Sequence, residues 1–124
     1  MSSANLSDAS LHYADLSGAN LSDADVSGVF MSDSKLIDAD LIGTDLSGAN
    51  LYGADLSNAE LNTAELSDAN LSQVEGVTNN ELEQAYSLEG ATMPDGQTLK
   101  SNANTDGPTF DDWLKSRGEE NNGP

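Results

Sequence analysis

His12 is the only imidazole in a chain that carries 22 carboxylates and no cysteine. Acid–base or nucleophilic catalysis needs a nucleophile, a base against it and a third group that orients the base. Serines are plentiful here, yet none has a recognisable base-and-orienter arrangement. Carboxylates that recur on an outer face stay in water, where pKa tuning is weak. No Asp/Asn/Gly run has the spacing of a calcium loop, and the glycines form no phosphate-binding loop. Without cysteine there is neither a zinc-thiolate site nor a disulfide. The expectation is a chain with no cofactor, no bound metal and no enzymatic activity.

The serines and glycines are instead spaced by a repeat. In "LSGANLYGADLSNAELNTAEL", residues 46–66, a leucine stands at every fifth position. Centres of this kind run without a gap from Leu6 to Leu71, with Val26 and Met31 among them, giving 14 units over residues 4–73. Two residues before each centre is a small position, alanine in 11 of the 14 units. On an α-helix five residues advance about 500°, so successive leucines form no stripe. On a flat strand an odd period alternates faces. Alanine and leucine two apart do share one side of an extended segment. Returning the next pair to that side requires a corner once per unit, and a chain that bends the same way every five residues coils around an apolar axis. Such internal periodicity is the signature of a solenoid. The two residues after each centre, where the corner falls, are mostly Ser and then mostly Asp, Gly or Asn. These types favour turns. Gly18, Gly28, Gly43, Gly48 and Gly53 all stand there.

Units such as Ala14-Asp15-Leu16-Ser17-Gly18 closely resemble the pentapeptide repeat family over residues 4–73. The resemblance implies an all-β solenoid: a right-handed quadrilateral β-helix with four units, or 20 residues, per coil. Residues 4–73 then make about 3.5 coils, stacked at about 4.8 Å, in a body roughly 17 Å long. Stacking by 20 places Asn5, Asp25, Asp45 and Glu65 in one column, Asp15, Lys35 and Asp55 in another, and Asn20, Asp40 and Glu60 in a third. The first of these reads as a solvated face rather than a cation site.

The middle coil departs from the rule. Val29 and Ser34 fill small positions, and Phe30, Ile37 and Ile42 stand where other units are polar. Phe30, Ile37 and Ile42 are the candidate partner-binding patch. Tyr13, Tyr52 and His12 decorate one face and read as ordinary surface rings. The regular pattern ends at residue 73. Residues 74–100 read as a C-terminal cap: a short α-helix begun by Thr78, Asn79 or Asn80, with Leu82, Ala85 and Tyr86 on one face, and then an extended segment. Residues 101–124 read as a linker over 101–108, a short amphipathic helix near 109–117 begun by Thr109, and a disordered end. Phe110, Trp113 and Leu114 form an apolar cluster on that helix. It either packs back onto the solenoid, against Phe30, Ile37 or Ile42, or serves as a linear docking motif. Packing is the preferred reading.

The formal net charge is −18, with four basic residues. That argues against nucleic-acid binding and against an anionic-membrane anchor. No apolar run could span a bilayer, and no signal peptide is visible, so a cytoplasmic protein is expected. The repeat begins at Ala4 with no cap of its own, so its first coil should pair end to end with a second copy or be covered by the tail. The function expected is a non-enzymatic structural or protein-interaction module that presents rigid faces to an unknown protein partner. The alternative follows from the resemblance: some pentapeptide repeat proteins mimic DNA and protect gyrase. Twelve acids and one lysine in residues 4–73 give adequate charge density, about one per 1.5 Å against one per ~1.7 Å of DNA. The length is inadequate, since roughly 17 Å is half of a ~34 Å duplex turn.

Overall fold

The computed structural model describes residues 5–101 and 105–116. Ala4, part of the expected linker, Arg117 and the expected disordered end, residues 118–124, lie outside the described residues.

Every unit turns in the same way. The amide of each small residue donates to the carbonyl of the preceding centre, from Ala9 to Leu6 through Val74 to Leu71, at 2.9–3.2 Å. The residue two after the centre has positive φ in all 14 units, from Asp8 at 59° to Gln73 at 61°. Asp, Asn and Gly tolerate that region best, which explains their recurrence there. The position before the centre also serves the corner. In nine units its Asn or Asp Oδ1 accepts the backbone N–H two residues on, as Asp25 does from Ser27 at 3.0 Å. The serine that follows the centre often donates its hydroxyl to the same oxygen.

Corners at this spacing stack the chain on itself every 20 residues. Parallel bridges run Asn5–Asp25–Asp45–Glu65, Ser10–Phe30–Asn50–Asn70, Asp15–Lys35–Asp55–Glu75 and Asn20–Asp40–Glu60. These four columns define four faces, called first to fourth in that order. Most units tie to the next coil three times. Leu6 donates to Asp25 at 2.7 Å, Phe30 donates back to Ala9 at 2.9 Å, and at the corner Asp8 donates to Ser27 at 2.9 Å.

The centres from Leu21 to Leu71 are no more than 2% exposed. Each contributes about 1.5–3 kcal/mol of burial. Val26 and Val29, the irregular pair of the middle coil, flank one corner and are both fully buried. A centre one methylene short beside a small position two carbons long keeps the volume roughly constant, the kind of change a core accepts. Ser34 and Thr44 are also buried at small positions. Thr44 Oγ1 donates to the Leu21 carbonyl at 2.7 Å. Ser34 Oγ makes no hydrogen bond among the described residues.

The chain leaves the third column at Glu75. Gly76, at φ +80°, passes so close to Ser57 that a Cβ would lie 2.6 Å from its Cα. Helix α1, Asn79–Glu83, follows, with Thr78 as N-cap in a capping box with Glu81. Leu82 is buried and Ala85 half-buried, whereas Tyr86 is 74% exposed. Tyr86 departs from the expected shared face because the helix has ended: its amide already donates to Ala64, at 2.8 Å. The first and second columns then continue to Ser87 and Thr92, 22 residues above Glu65 and Asn70. Ala91 and Met93 are fully buried, and Leu88 half-buried. Residues 86–95 are therefore two more five-residue units, set apart from the regular run by α1. The sequence reading places the whole of 74–100 in a cap, and the difference arises because the helical excursion adds two residues to the period.

The far edge of these units is covered. The chain reverses at Gly96, and Leu99 donates to Ala91 while Gly90 donates to Lys100, with an antiparallel bridge between Thr92 and Thr98. Helix α2, Phe110–Ser116, closes over this hairpin, with Trp113 and Leu114 buried. Thr109 Oγ1 accepts from Asp112, and Trp113 Nε1 donates to Asp95 at 3.0 Å.

Two outcomes follow for stability. Gly76→Ala should cost more than about 2 kcal/mol, from positive φ plus an unyielding backbone clash, whereas Gly18→Ala, with open space around it, should cost only about 1 kcal/mol. Ser34→Ala should stabilise by about 1 kcal/mol, because it removes an unsatisfied buried hydroxyl. Chemical denaturation of the three variants beside the parent chain measures both.

Candidate interaction face

The four faces differ in charge. Among residues 5–73 the first face carries Asp8, Asp25, Asp45, Glu65 and Asp68, and the third and fourth carry three acids each. The second face carries one, Asp33. It also carries the aromatic side chains. Phe30 and Tyr52 are each 46% exposed, and Tyr13 is 77% exposed. His12 is exposed beside them, its ring 5.8 Å from that of Phe30 and tilted by 41°. His12 Nδ1 and Ser32 Oγ share a hydrogen bond between adjacent coils.

Backbone ladders fix the positions that carry these rings. Phe30 is bridged to Ser10 below and Asn50 above. The Tyr52 amide donates to Asn50 Oδ1, and its carbonyl accepts from Asp33 at 2.7 Å. Tyr13 sits at φ +61°, where most units place Asp, Gly or Asn. A bulky residue there is strained, and strain of this kind concentrates at sites of function. Asn50, Asn70 and Gln73 supply amide groups on the same face. The result is a flat, nearly uncharged surface of rings and amides on an otherwise acidic body.

The expected patch of Phe30, Ile37 and Ile42 does not converge. Phe30 lies on the second face, while Ile37 and Ile42 stand at the corners that follow the third and fourth columns. They share a coil, and neighbours along a coil point in successive directions. Ile37 is half-buried and Ile42 is 36% exposed. The Phe110, Trp113 and Leu114 cluster does not pack on Phe30, Ile37 or Ile42 either. Trp113 is stacked on Phe110 at 5.9 Å and bound to Asp95, at the opposite end of the chain's columns from the first coil. At 1–2% exposure Trp113 and Leu114 are internal packing, which leaves no free linear motif at those two residues. A cavity of about 390 Å³ lies where Phe110, Leu88, Leu99 and Lys100 meet. No sequence signal points to it, because it depends on how the hairpin and α2 are folded together.

Among the described residues no group of His, Asp and Glu is placed to hold a metal ion, and no helix is long and apolar enough to cross a membrane. The acidic columns are tuned only through their corners. The Asp15, Asp25 and Asp55 carboxyls are held below the usual carboxylate value, first by the hydroxyls of Ser17, Ser27 and Ser57, then by the amides of the same serines. The Lys35 charge, between Asp15 and Asp55 in the third column, adds a smaller lowering to both.

A chain of stacked, four-cornered five-residue units is a repeat solenoid. The model for pentapeptide repeats matches it in eight copies over residues 1–36 and 34–73, and the chain belongs to that family. Pentapeptide repeat proteins fold as right-handed quadrilateral β-helices and are in general non-enzymatic structural or interaction modules. HetL, from the cyanobacterium Nostoc sp. strain PCC 7120, is a solved relative at 39% identity and a TM-score of 0.71, aligned over 76% of this chain and 42% of its own. That protein is involved in heterocyst differentiation regulation. A thylakoid-lumen protein of Arabidopsis thaliana is 32% identical, with a TM-score of 0.61 over 74% of this chain and 59% of its own. Rfr23 of Cyanothece is 37% identical, with a TM-score of 0.58 over 76% and 59%. The chain thus spans between two-fifths and three-fifths of the length of these relatives. No curated protein sequence matches it.

The serine bonds set a pH signature. A folded carboxyl pKa below the unfolded value contributes stability that is present above the unfolded value. That stability is lost as pH falls through the lowered folded value. Ser57→Ala should therefore lower stability at pH 7, and the gap to the parent chain should narrow as pH drops below the ordinary carboxyl value of 3.8. Thermal melts of both proteins across that range measure it, and a gap that stays constant with pH would contradict the assignment.

Proposed function

We propose that this chain is a non-enzymatic interaction module whose second face docks a protein partner. One observation carries the reading: Phe30, Tyr52, Tyr13 and His12 gather on the single face that has one carboxylate among residues 5–73. Aromatic side chains are enriched in interfaces and charged ones depleted at interface cores. A laddered backbone loses little further freedom on binding, so the cost of ordering is low. The scaffold in this reading has about four and a half coils, one more than the regular repeat alone, closed by α1, the hairpin and α2. The mimicry alternative is disfavoured by size, because five levels at about 4.8 Å span roughly 19 Å, well short of a ~34 Å turn of duplex.

The test compares two double variants in cross-linked capture from the native host. Phe30→Ser/Tyr52→Ser should lose the specific partner, while Ile37→Asp/Ile42→Asp, at other corners, should keep it. Loss confined to the isoleucine pair, or retention by both variants, would refute docking on the second face. Matching thermal melts establish that the variants are folded. Inhibition of gyrase supercoiling by the parent chain would instead favour mimicry.

A further inference from the structure

The two ends of the solenoid are unlike. At the far end the hairpin pairs the last two units and α2 covers them. At the near end the first coil is open among the described residues. Phe30 shows how a bridging residue uses the side facing the coil below: its N–H donates to Ala9 and its C=O accepts from Leu11. Ser10, Asp15 and Asn20 occupy the same position in the first coil, and their backbone N–H and C=O groups have no partner among the described residues. Leu6, Leu11 and Leu16 are only half-buried, whereas every centre from Leu21 to Leu71 is at most 2% exposed. An open edge over an exposed apolar rim is a template for pairing.

We infer that this edge pairs with the same edge of a second copy, giving a closed end-to-end dimer. The edge is self-complementary, since each bridging residue offers one donor and one acceptor in the same direction. A copy turned end over end brings its strands in antiparallel, and opposed residues then exchange both hydrogen bonds. Charge supports the same occupant. The bridging positions of the first coil are Asn5, Ser10, Asp15 and Asn20, with one carboxylate, while those of the third are Asp45, Asn50, Asp55 and Glu60, with three. In a chain of net charge −18 the exposed edge is thus a level with little charge at its bridging positions. A two-fold axis through the second and fourth faces sets Ser10 against Ser10, Asn20 against Asn20 and Asn5 against Asp15. An axis through either pair of corners also keeps Asp15 away from its own copy. Only the axis through the first and third faces opposes two carboxylates. With the far end covered by the hairpin and α2, the described residues of each copy offer this edge for one such contact, which closes on itself by two-fold symmetry.

Asn5→Asp/Asn20→Asp tests this without disturbing the corners. Asp25 already makes the bond to Ser27 that Asn20 makes to Ser22, so the new carboxylates keep their turn roles. In every allowed register they place like charges across the junction. The parent chain should sediment as a dimer at about 100 µM, a concentration that populates a dimer of micromolar dissociation constant. The double variant should dissociate at least about tenfold more readily, equivalent to about 1.4 kcal/mol, with partial recovery in high salt and a melting curve that matches the parent's at a dilution where both are monomeric. A second readout is independent of any variant. Amide exchange at Ser10, Asp15 and Asn20 should slow as parent-chain concentration rises. A parent chain that is monomeric at that concentration, a dimer indifferent to the double substitution, or edge amides whose exchange ignores concentration would each overturn the inference.

Discussion

One backbone torsion governs this molecule. Each unit turns its corner on a residue of positive φ, closed by a hydrogen bond from the next small residue to the last centre. Where that corner recurs every five residues, the coil repeats every 20 and the ladder groups of adjacent coils fall into register. Removing the periodicity would leave no strand long enough to pair alone, since the described residues hold only isolated bridges. Side chains reinforce the torsion from both sides. An Asn or Asp before the centre accepts the corner amide, and the serine after it often donates to the same oxygen. This role makes the carboxylates of Asp15, Asp25, Asp40, Asp45 and Asp55 structural, although they stand on the outside of the coil.

The same constraint explains where variation is allowed. Inward positions are held to leucine and alanine, with compensated exceptions such as Val26 beside Val29. Outward positions are free except at the corners, so each face can carry its own chemistry. Three faces carry an excess of acids, and the second carries rings and amides. Face identity is a property of position modulo 20, and it connects residues far apart in the chain.

The solenoid was legible in the sequence because five-residue periodicity is a local signal that neither a helix nor a strand can produce. The corner positions were legible too, from the turn chemistry of Ser, Gly, Asn and Asp. The candidate face was legible only in fragments. His12, Tyr13 and Tyr52 group readily, but Phe30 was assigned with Ile37 and Ile42, its neighbours along the coil. Reading positions modulo 20 would have placed Phe30 between His12 and Tyr52, because a bridge at a spacing of 20 outweighs proximity in sequence. The units at 86–95 were hidden by α1, whose two extra residues break the count just where Leu88 and Met93 would have revealed it.

By itself, then, the sequence determined the coil, its apolar axis and its acidic exterior, since each follows from residue types at a fixed short spacing. Tertiary structure decided the rest. It put Tyr86 in solvent and Ser87 in a column, turned Trp113 toward Asp95 rather than the middle coil, and left the edge of Ser10, Asp15 and Asn20 unpaired among the described residues. The physical reason is that these outcomes depend on which surfaces meet after the chain has coiled. Surface contacts between residues 18 or 22 apart carry no periodic signature of their own.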